Sequence, residues 1–564
     1  MKNGMIAIIF QRPTPHSPHV PPPGPTIHLN LPLIISPSLS LSTTFAPYFP
    51  PWSCPTCTPI PLPHHILATP TNYSIDSQII IDVCSLPCSV IHIHSRKFEI
   101  LTCLSSETII NNSCLLVQSS ERLNIEEALI MRYKKYWNQN VETMPLEELK
   151  TLQLKRLRAI VRYSYNNNRF YRRKFDDAEV KPTQIRTLED ISKFPMLSKD
   201  ELREGYPFGL IVANRKDWSE LHSSSGTTGK PVVNIYTKKD IRNWGEVIAR
   251  GLWAGGIRPT DIVQNAYGLG LFTGGFGFAY GANTIGALHL PTSSGNTRRQ
   301  INLARDFGST AICATPSYGL YLAETAKKMG FNPKKDFKFK AGFFGAEAWS
   351  EEIRNKLEEA WGDKFQAREA YGLTEIGGPG LSYDCPHKTG LHINADQFLV
   401  EIVDKNLDPV APGEKGEIVI TTLTHDGFPA IRFRTKDLSY VMEEKCECGR
   451  TFPRHARLLG RLDDMMKIKG VICFPKQIEE GILSVKGASE NYQIIKYKKS
   501  MFIDLKIKVE PAQKMNKKDS DKLAKNISES IQTIVGLRLG VEIVDIDTIP
   551  RSEGKAQRVI DLTK

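Results

Sequence analysis

Apolar residues fall into two regimes along this 564-residue chain. Up to about residue 130 they form short runs with neither helical nor strand period. Stretches such as Pro21-Pro22-Pro23-Gly24-Pro25 and Pro59-Ile60-Pro61-Leu62-Pro63 lack N–H donors and fix φ, which opposes both helix and central strand. Beyond residue 130 regular periods begin. Thr143, Pro145, Glu147 and Glu148 compose a helix start, and Leu146, Leu149, Leu152, Ile160 and Val161 follow on helical spacing, predicting a helix packed on a domain. Farther on, β-rich runs such as Thr310–Cys313 and Gly416–Thr422 alternate with amphipathic segments such as Ser350–Trp361, the pattern of an α/β body. Cys313 and Cys473 sit in apolar runs and are expected to be buried strand residues.

Composition sharpens the division. Seventeen of the 36 prolines precede residue 71, and residues 1–130 carry only 5 Lys/Arg and 7 Asp/Glu. That is too little charge for a solvated linker and too little period for a core. Six of the 11 cysteines lie here too. Cys54-x-x-Cys57 with His64 and His65 admits a metal or redox reading, but without glycine turns, a following helix or a second pair it reads as incidental. Residues 1–130 are accordingly expected to be a translated upstream extension, without a packed domain, the native start being Met131. The remaining 434 residues would carry a net charge of +14, from 68 basic and 54 acidic residues.

The length calls for two or more folded units. No run of 18 apolar residues occurs, and Met5–Phe10 is stopped by Gln11, Arg12 and Pro13, short of a membrane span or a signal peptide. A cytoplasmic enzyme without membrane partners is therefore expected. The net charge of +12 is spread along the chain with no dense basic run, which favours a small multiphosphate ligand over nucleic acid.

The run Ser223-Ser224-Ser225-Gly226-Thr227-Thr228-Gly229-Lys230-Pro231 has the chemistry to cradle phosphates. Two glycines and five small hydroxylated residues bring backbone N–H groups and hydroxyls close to an anion. It is not a Walker loop, since Lys230 is followed by Pro231 and the glycine spacing differs. At this run the chain resembles the adenylate-forming superfamily of acyl-CoA synthetases, and the other superfamily motifs follow in order. Phe344-Gly345-Ala346-Glu347 resembles the adenine-binding segment. Tyr371-Gly372-Leu373-Thr374-Glu375 is similar to the signature in which the Thr contacts phosphate and the Glu holds Mg²⁺, an aromatic face stacking the base while a carboxylate carries a hard cation. Arg434-Thr435-Lys436-Asp437 resembles Arg-Thr-Gly-Asp, whose Asp accepts from both ribose hydroxyls, with Lys436 in place of the glycine. Gly460-Arg461-Leu462-Asp463 resembles the hinge motif, Asp463 aligning with the hinge. Ser552-Glu553-Gly554-Lys555 resembles the loop of the adenylation lysine, where a cation stabilises charge developing at the α-phosphate.

Within the superfamily, Asn265–Gly275, Gly295–Gln300 and Phe474–Glu479 resemble phenylacetate-CoA ligases, and the likeness runs from Met131 to Lys564. The resemblance implies a large multi-sheet α/β adenylation domain over 131–461 that binds ATP and an aryl acid, and a small mobile α/β domain over 462–564 carrying Lys555. It implies ATP contacts from Ser224 to Lys230, Gly345, Ala346, Glu347, Tyr371, Gly372, Asp437 and Arg461, with Thr374, Glu375 and Lys555 catalytic. Tyr267 and Phe272 become walls of the acid pocket and Gly345 its base. Gly470 falls where a glycine-rich loop reaches the thiol channel. ATP and carboxylate would give acyl-adenylate and pyrophosphate; after the small domain rotates, the coenzyme A thiol would displace AMP. The resemblance also suggests a homodimer. Two rivals share the scaffold: a coenzyme F390 synthetase-like enzyme that adenylylates a deazaflavin, and a non-catalytic nucleotide-binding module.

One further set stands apart from the nucleotide motifs. Cys385, His392, Cys446 and Cys448, with His387 as an alternative fourth member, offer thiolates and an imidazole suited to structural Zn²⁺; reduced cysteines without metal are the competing reading.

Overall fold

The computed structural model describes residues 134–224, 230–468, 471–499 and 502–563, together with the backbone of four short strands in the first segment. Those strands, Ile81–Val83, Cys88–Ser95, Phe98–Ser105 and Leu116–Val117, form an antiparallel sheet in a unit separate from the rest of the chain. Sequence alone gave no expectation of them. They lie past the proline-dense stretch, where β-branched runs such as Val90-Ile91 are free to pair. Cys54, Cys57, His64 and His65 lie outside the described residues, as does Gly470.

The second unit, Lys134–Lys564, is built on a nine-stranded sheet. Its parallel half runs Gln366–Leu373, Ala341–Phe344, Ala311–Ala314, Ile262–Asn265 and Leu288–Leu290. Short, wholly apolar strands such as Ala311–Ala314 and Ala341–Phe344 are buried on both faces, as a parallel sheet covered by helices requires. The covering helices include Thr273–Ile285, Thr297–Asp306, Pro316–Lys328 and Glu351–Trp361. The last has Ser350 as its N-cap, accepting from the Ile353 amide, and buries Ile353, Leu357 and Trp361. The sheet turns antiparallel through Gly378–Asp384, Leu391–Ile393, Arg454–His455 and Val441–Met442.

A four-stranded antiparallel sheet, Phe398–Val403, Gly416–Thr422, Phe433–Ser439 and Gly460–Arg461, completes the larger lobe. The predicted strand Gly416–Thr422 is its buried centre. At its N-terminal end the lobe carries the helix Leu146–Asn167. Leu149, Leu157, Ile160 and Val161 are buried there with Gln153 and Ser164, whereas Leu146 is exposed and Leu152 only half-buried. The packed face begins at Leu149 within the first turn, so Leu146 lies beyond its start and Leu152 falls at its edge.

Past Arg461 the chain makes one 3-10 turn, Leu462–Asp464, and enters the smaller lobe. There a hairpin, Met466–Ile468 with Val471–Cys473, precedes a mixed four-stranded sheet. The helices Pro475–Leu483 and Lys517–Val535 pack on that sheet around Ile478, Ile482, Ile494, Ile507, Ile527 and Ile531. Cys313 and Cys473 are buried in strands. Among the described residues no helix is long and apolar enough to cross a membrane.

Candidate active site

The carboxyl end of the parallel sheet, where open α/β sheets leave a crevice, delivers the site. Strand Ala341–Phe344 releases Gly345-Ala346-Glu347, and strand Gln366–Leu373 carries Tyr371 and Gly372 before turning through Thr374–Ile376. Gly345 is dictated by close approach: a Cβ there would lie 2.3 Å from the Ala370 carbonyl oxygen. Ala346 next to it takes φ +68°, so this corner is bent where it meets the crevice.

These segments line one cavity of about 300 Å³. It gathers Ser224, Tyr267, Phe272, Gly345, Ala346, Glu347, Tyr371, Gly372, Thr374, Glu375, Asp437, Arg461 and Lys555, which are sequence-predicted residues from seven separate stretches. Lys230 is exposed and is not among the lining residues; Ser225–Gly229 lie outside the described residues. The loop they belong to joins the hairpin strands Trp218–Ser223 and Val233–Thr237, with Ser224 Oγ accepting from the Val232 amide at 2.9 Å.

At one end of the cavity Asp437 is almost fully buried. Its Oδ2 accepts from the Tyr371 hydroxyl at 2.6 Å and its Oδ1 from Arg461 at 2.5 Å. Burial pushes its carboxyl up to about 6, while Arg461 pulls the other way. Lys436 sits at φ +67°, the left-handed region for which glycine is suited, and its N–H donates to Glu417 Oε1 at 3.1 Å. The turn therefore keeps a glycine-type backbone with a lysine in it.

Thr374 and Glu375 sit beside this end. The Thr374 hydroxyl lies 3.2 Å from that of Thr273, and its carbonyl accepts from Asn234 at 2.8 Å. Glu375 is ion-paired with Lys199 at 2.8 Å, and Lys199 keeps 43% of its side-chain surface exposed. Nothing in the sequence marked Lys199 except its place inside the capping box Ser198…Glu201, which starts a helix. Lys199 and Glu375 meet only through the tertiary fold.

The other end of the cavity is apolar. Tyr267 stacks on Phe278, ring centroids 5.5 Å apart and planes 2° from parallel, and Phe272 and Pro379 complete the walls. The Tyr267 hydroxyl is buried without a side-chain partner, and desolvation raises its pKa well above the ordinary tyrosine value, so it stays neutral. Phe278, absent from the sequence-predicted set, belongs to a helix in which it reads as core; only its stacking on Tyr267 reveals it.

Lys555 approaches from the smaller lobe. Its ammonium lies 5.7 Å from the Phe272 ring centroid, and although the residue is exposed, partial desolvation in the cavity mouth lowers its pKa while Glu347 opposes the change. Asp463 is held back from the cavity by Arg461, whose Nε donates to it at 2.9 Å.

Elsewhere in the larger lobe, Cys385, His392, Cys446 and Cys448 place their donor atoms within 4.8 Å of one another. Cys385 Sγ is 3.5 Å from Cys446 Sγ, and Cys448 Sγ is 3.3 Å from His392 Nε2. His392 Nδ1 lies 3.2 Å from the Phe452 carbonyl, which selects the Nδ1–H tautomer and leaves Nε2 free to ligate. His387 turns instead toward Glu447 at 3.4 Å and lies outside the cluster.

Known proteins match this geometry. The AMP-binding enzyme family profile matches residues 185–424 and that of the AMP-binding enzyme C-terminal domain residues 470–563. Phenylacetate-coenzyme A ligases of Thermus thermophilus and Escherichia coli are each 40% identical, over 75% of this chain and 99% and 97% of their own lengths. A 2-hydroxyisobutyryl-CoA ligase in its postadenylation state matches with a TM-score of 0.72 at 28% identity, over 76% of this chain and 92% of that one. In its thioesterification state that ligase matches with a TM-score of 0.58 at 29% identity. The sequence likeness, the two matched profiles and the motif residues around one cavity lead to one statement: the chain belongs to the phenylacetate-CoA ligase family of AMP-forming ligases.

Proposed function

We propose that this protein activates phenylacetate or a closely related aromatic acid with ATP and passes the acyl group to coenzyme A. What carries the reading is that a single cavity has an aromatic end, Tyr267, Phe272 and Phe278, and an end with nucleotide-binding chemistry, Tyr371, Asp437 and Thr374, with Lys555 between lobes. In this reading the acid's ring lies against Tyr267 with Gly345 at the pocket base, where a Cβ would collide with the Ala370 carbonyl oxygen and come within 3.8 Å of the Tyr267 hydroxyl. Tyr371 stacks the adenine and is held in place by its hydrogen bond to Asp437, whose remaining acceptor capacity serves the ribose hydroxyls. Arg461 neutralises Asp437 and keeps it ionised. Ser224 faces the phosphates, and Ala346 and Glu347 the adenine. Lys555 places a cation where carboxylate oxygen displaces pyrophosphate from the α-phosphate, an electrostatic role that requires no proton transfer. Carboxylate attack forms a C–O–P bond and releases pyrophosphate; thiolate attack on the acyl carbon then forms the thioester and releases AMP.

Mg²⁺ fits Glu375, because its partner Lys199 is half-exposed and able to swing aside. When bound, the ion neutralises triphosphate charge. Zn²⁺ fits the Cys385, His392, Cys446 and Cys448 set. Three sulfurs and one tautomer-fixed imidazole, all within 4.8 Å of one another, supply the four soft donors that would hold a structural zinc ion. We assign the two lobes to 131–461 and 462–564 with Asp463 as pivot, and the molecule to a cytoplasmic homodimer; sedimentation of the full 564-residue chain at twice its 63.4 kDa mass would bear out the dimer.

The test is pyrophosphate release with a panel of carboxylic acids and a deazaflavin, each with and without coenzyme A. The expected result is sustained turnover with phenylacetate that depends on coenzyme A. Turnover with the deazaflavin alone, indifferent to coenzyme A, would overturn the acid–thiol reading.

A further inference from the structure

Lys555 is unattached while the backbone on both sides of it is fastened. Among the described residues its ammonium makes no hydrogen bond or ion pair, only the distant contact with Phe272. Its neighbours, by contrast, are tied to three separate elements of the larger lobe. Glu553 Oε1 accepts from the Thr297 hydroxyl at 2.6 Å and from the Thr297 amide at 3.3 Å, at the first residue of the helix Thr297–Asp306. The Gly554 carbonyl accepts from the Thr315 hydroxyl at 2.9 Å. The Ala556 amide donates to Glu347 Oε1 at 2.5 Å, and Glu347 is itself held by the Ser317 hydroxyl at 2.8 Å. The loop from 551 to 558 has no regular secondary structure of its own, so these bonds define its path across the lobe boundary.

From this arrangement we propose that Glu553 and Thr297 form a catch between the lobes, a pair of positioning residues that hold Lys555 in place for adenylation and must part before thioester formation. Three observations carry it. Glu553 reaches across the lobe boundary to a buried hydroxyl and a helix N-terminal amide, a charge-assisted pairing favoured at that end of a helix. Thr297 is 5% exposed and also 3.3 Å from the Tyr318 hydroxyl, so the receiving half is fixed before the lobe arrives. Finally, all of these bonds lie on the 553–556 stretch, so a turn of the smaller lobe that carried this stretch away would break them together. The catch therefore biases the lobe equilibrium toward the adenylating arrangement by its own differential bonding, which is how a contact made in only one of two states acts. The assay below takes phenylacetate as the acid and so rests on the function proposed above; the scattering measurement does not.

Three variants test the pair. Thr297→Val removes the hydroxyl at constant shape, Glu553→Ala removes the carboxylate, and Thr297→Ser keeps the bond. Phenylacetate-dependent ATP–pyrophosphate exchange should fall about tenfold in the first two and no further in the double variant, because either change alone opens the catch. Thr297→Ser should stay within about twofold of the parent. Thioester formation from presupplied phenylacetyl-adenylate and coenzyme A should be unchanged or faster in all of them. Small-angle scattering of the ligand-free full chain should show a larger radius of gyration for Thr297→Val and Glu553→Ala than for the parent. An equal fall in both half-reactions, independent losses that multiply in the double variant, or an unchanged exchange rate and radius would overturn the catch. If the parent gives no exchange with phenylacetate, the acid assignment fails, and the scattering comparison still decides for or against the catch.

Discussion

Two adjacent residues in one turn, Lys436 and Asp437, show how function and conformation are divided within the site. Lys436 supplies a left-handed backbone that L-residues adopt at a cost, and only its N–H is used, toward Glu417. Lys436→Gly should therefore leave the Michaelis constant for ATP unchanged and shift stability by no more than about 1 kcal/mol, the relief of strain being offset by the freer unfolded chain. Lys436→Val, β-branched in the same region, should cost about 1–2 kcal/mol; thermal unfolding of the three proteins in one buffer checks both. Asp437 carries the proposed ribose contact. With its carboxyl raised to about 6 by burial, it is ionised at neutral pH and gains a proton as pH falls through that value. The protonated form loses an acceptor and its pairing with Arg461, so the Michaelis constant for ATP should rise as pH drops below about 6. Asp437→Asn should have a raised constant throughout and lack this acidic limb. A limb of the same shape in that variant would assign the titration elsewhere.

At the scale of elements, the cysteine–histidine cluster ties together pieces that are weakly paired on their own. Cys385 follows the strand Gly378–Asp384, His392 lies within Leu391–Ile393, and Cys446 and Cys448 occupy the loop before Arg454–His455. These short antiparallel strands end the nine-stranded sheet, and a bound Zn²⁺ would clip that end shut. The purified protein should release about one zinc per chain when its thiols are titrated, and stripping the metal or making Cys448→Ser should lower the unfolding midpoint by about 5 °C or more. A metal-free preparation with an unchanged midpoint would reduce the cluster to ordinary buried thiols. The elements also show where sequence reading ran out. Local motifs such as Tyr371–Glu375 could be singled out by resemblance because their residues lie together in the sequence, and the structure places them along one cavity. Choosing His392 over His387 was not legible, since both share the same short stretch and only strand pairing turns one inward. Thr297 with Glu553, and Lys199 with Glu375, are separated by 256 and 176 residues respectively, a distance no periodicity spans. Phe278 has the reverse problem: its helical context is indistinguishable from core until Tyr267 is seen stacked upon it.

For the molecule as a whole, the division into lobes assigns different chemistry to different arrangements of the same residues. The larger lobe holds the apolar pocket, Thr374, Glu375 and Asp437. Lys555 belongs to the smaller lobe and lines the cavity in the arrangement described here, with its ammonium partly desolvated and its loop tied down. Lys555→Ala should then cut adenylate formation by orders of magnitude with little change in the binding of the acid, because the cation acts on charge that develops only in the transition state. Thioester formation from presupplied phenylacetyl-adenylate should survive in the same variant, since the proposed lobe movement takes Lys555 away before that step. Single-turnover measurement of each half-reaction separates the two. Equal loss of both would mean that Lys555 stays at the reacting centre throughout, and that the lobes do not share out the reaction in time. Because the lysine's pKa is lowered, adenylation should also decline on the alkaline side at a lower pH than an ordinary lysine would give, as the charge is lost. The thioester half-reaction of the same enzyme should lack that limb, so that two pH profiles from one protein report which lobe arrangement each step uses.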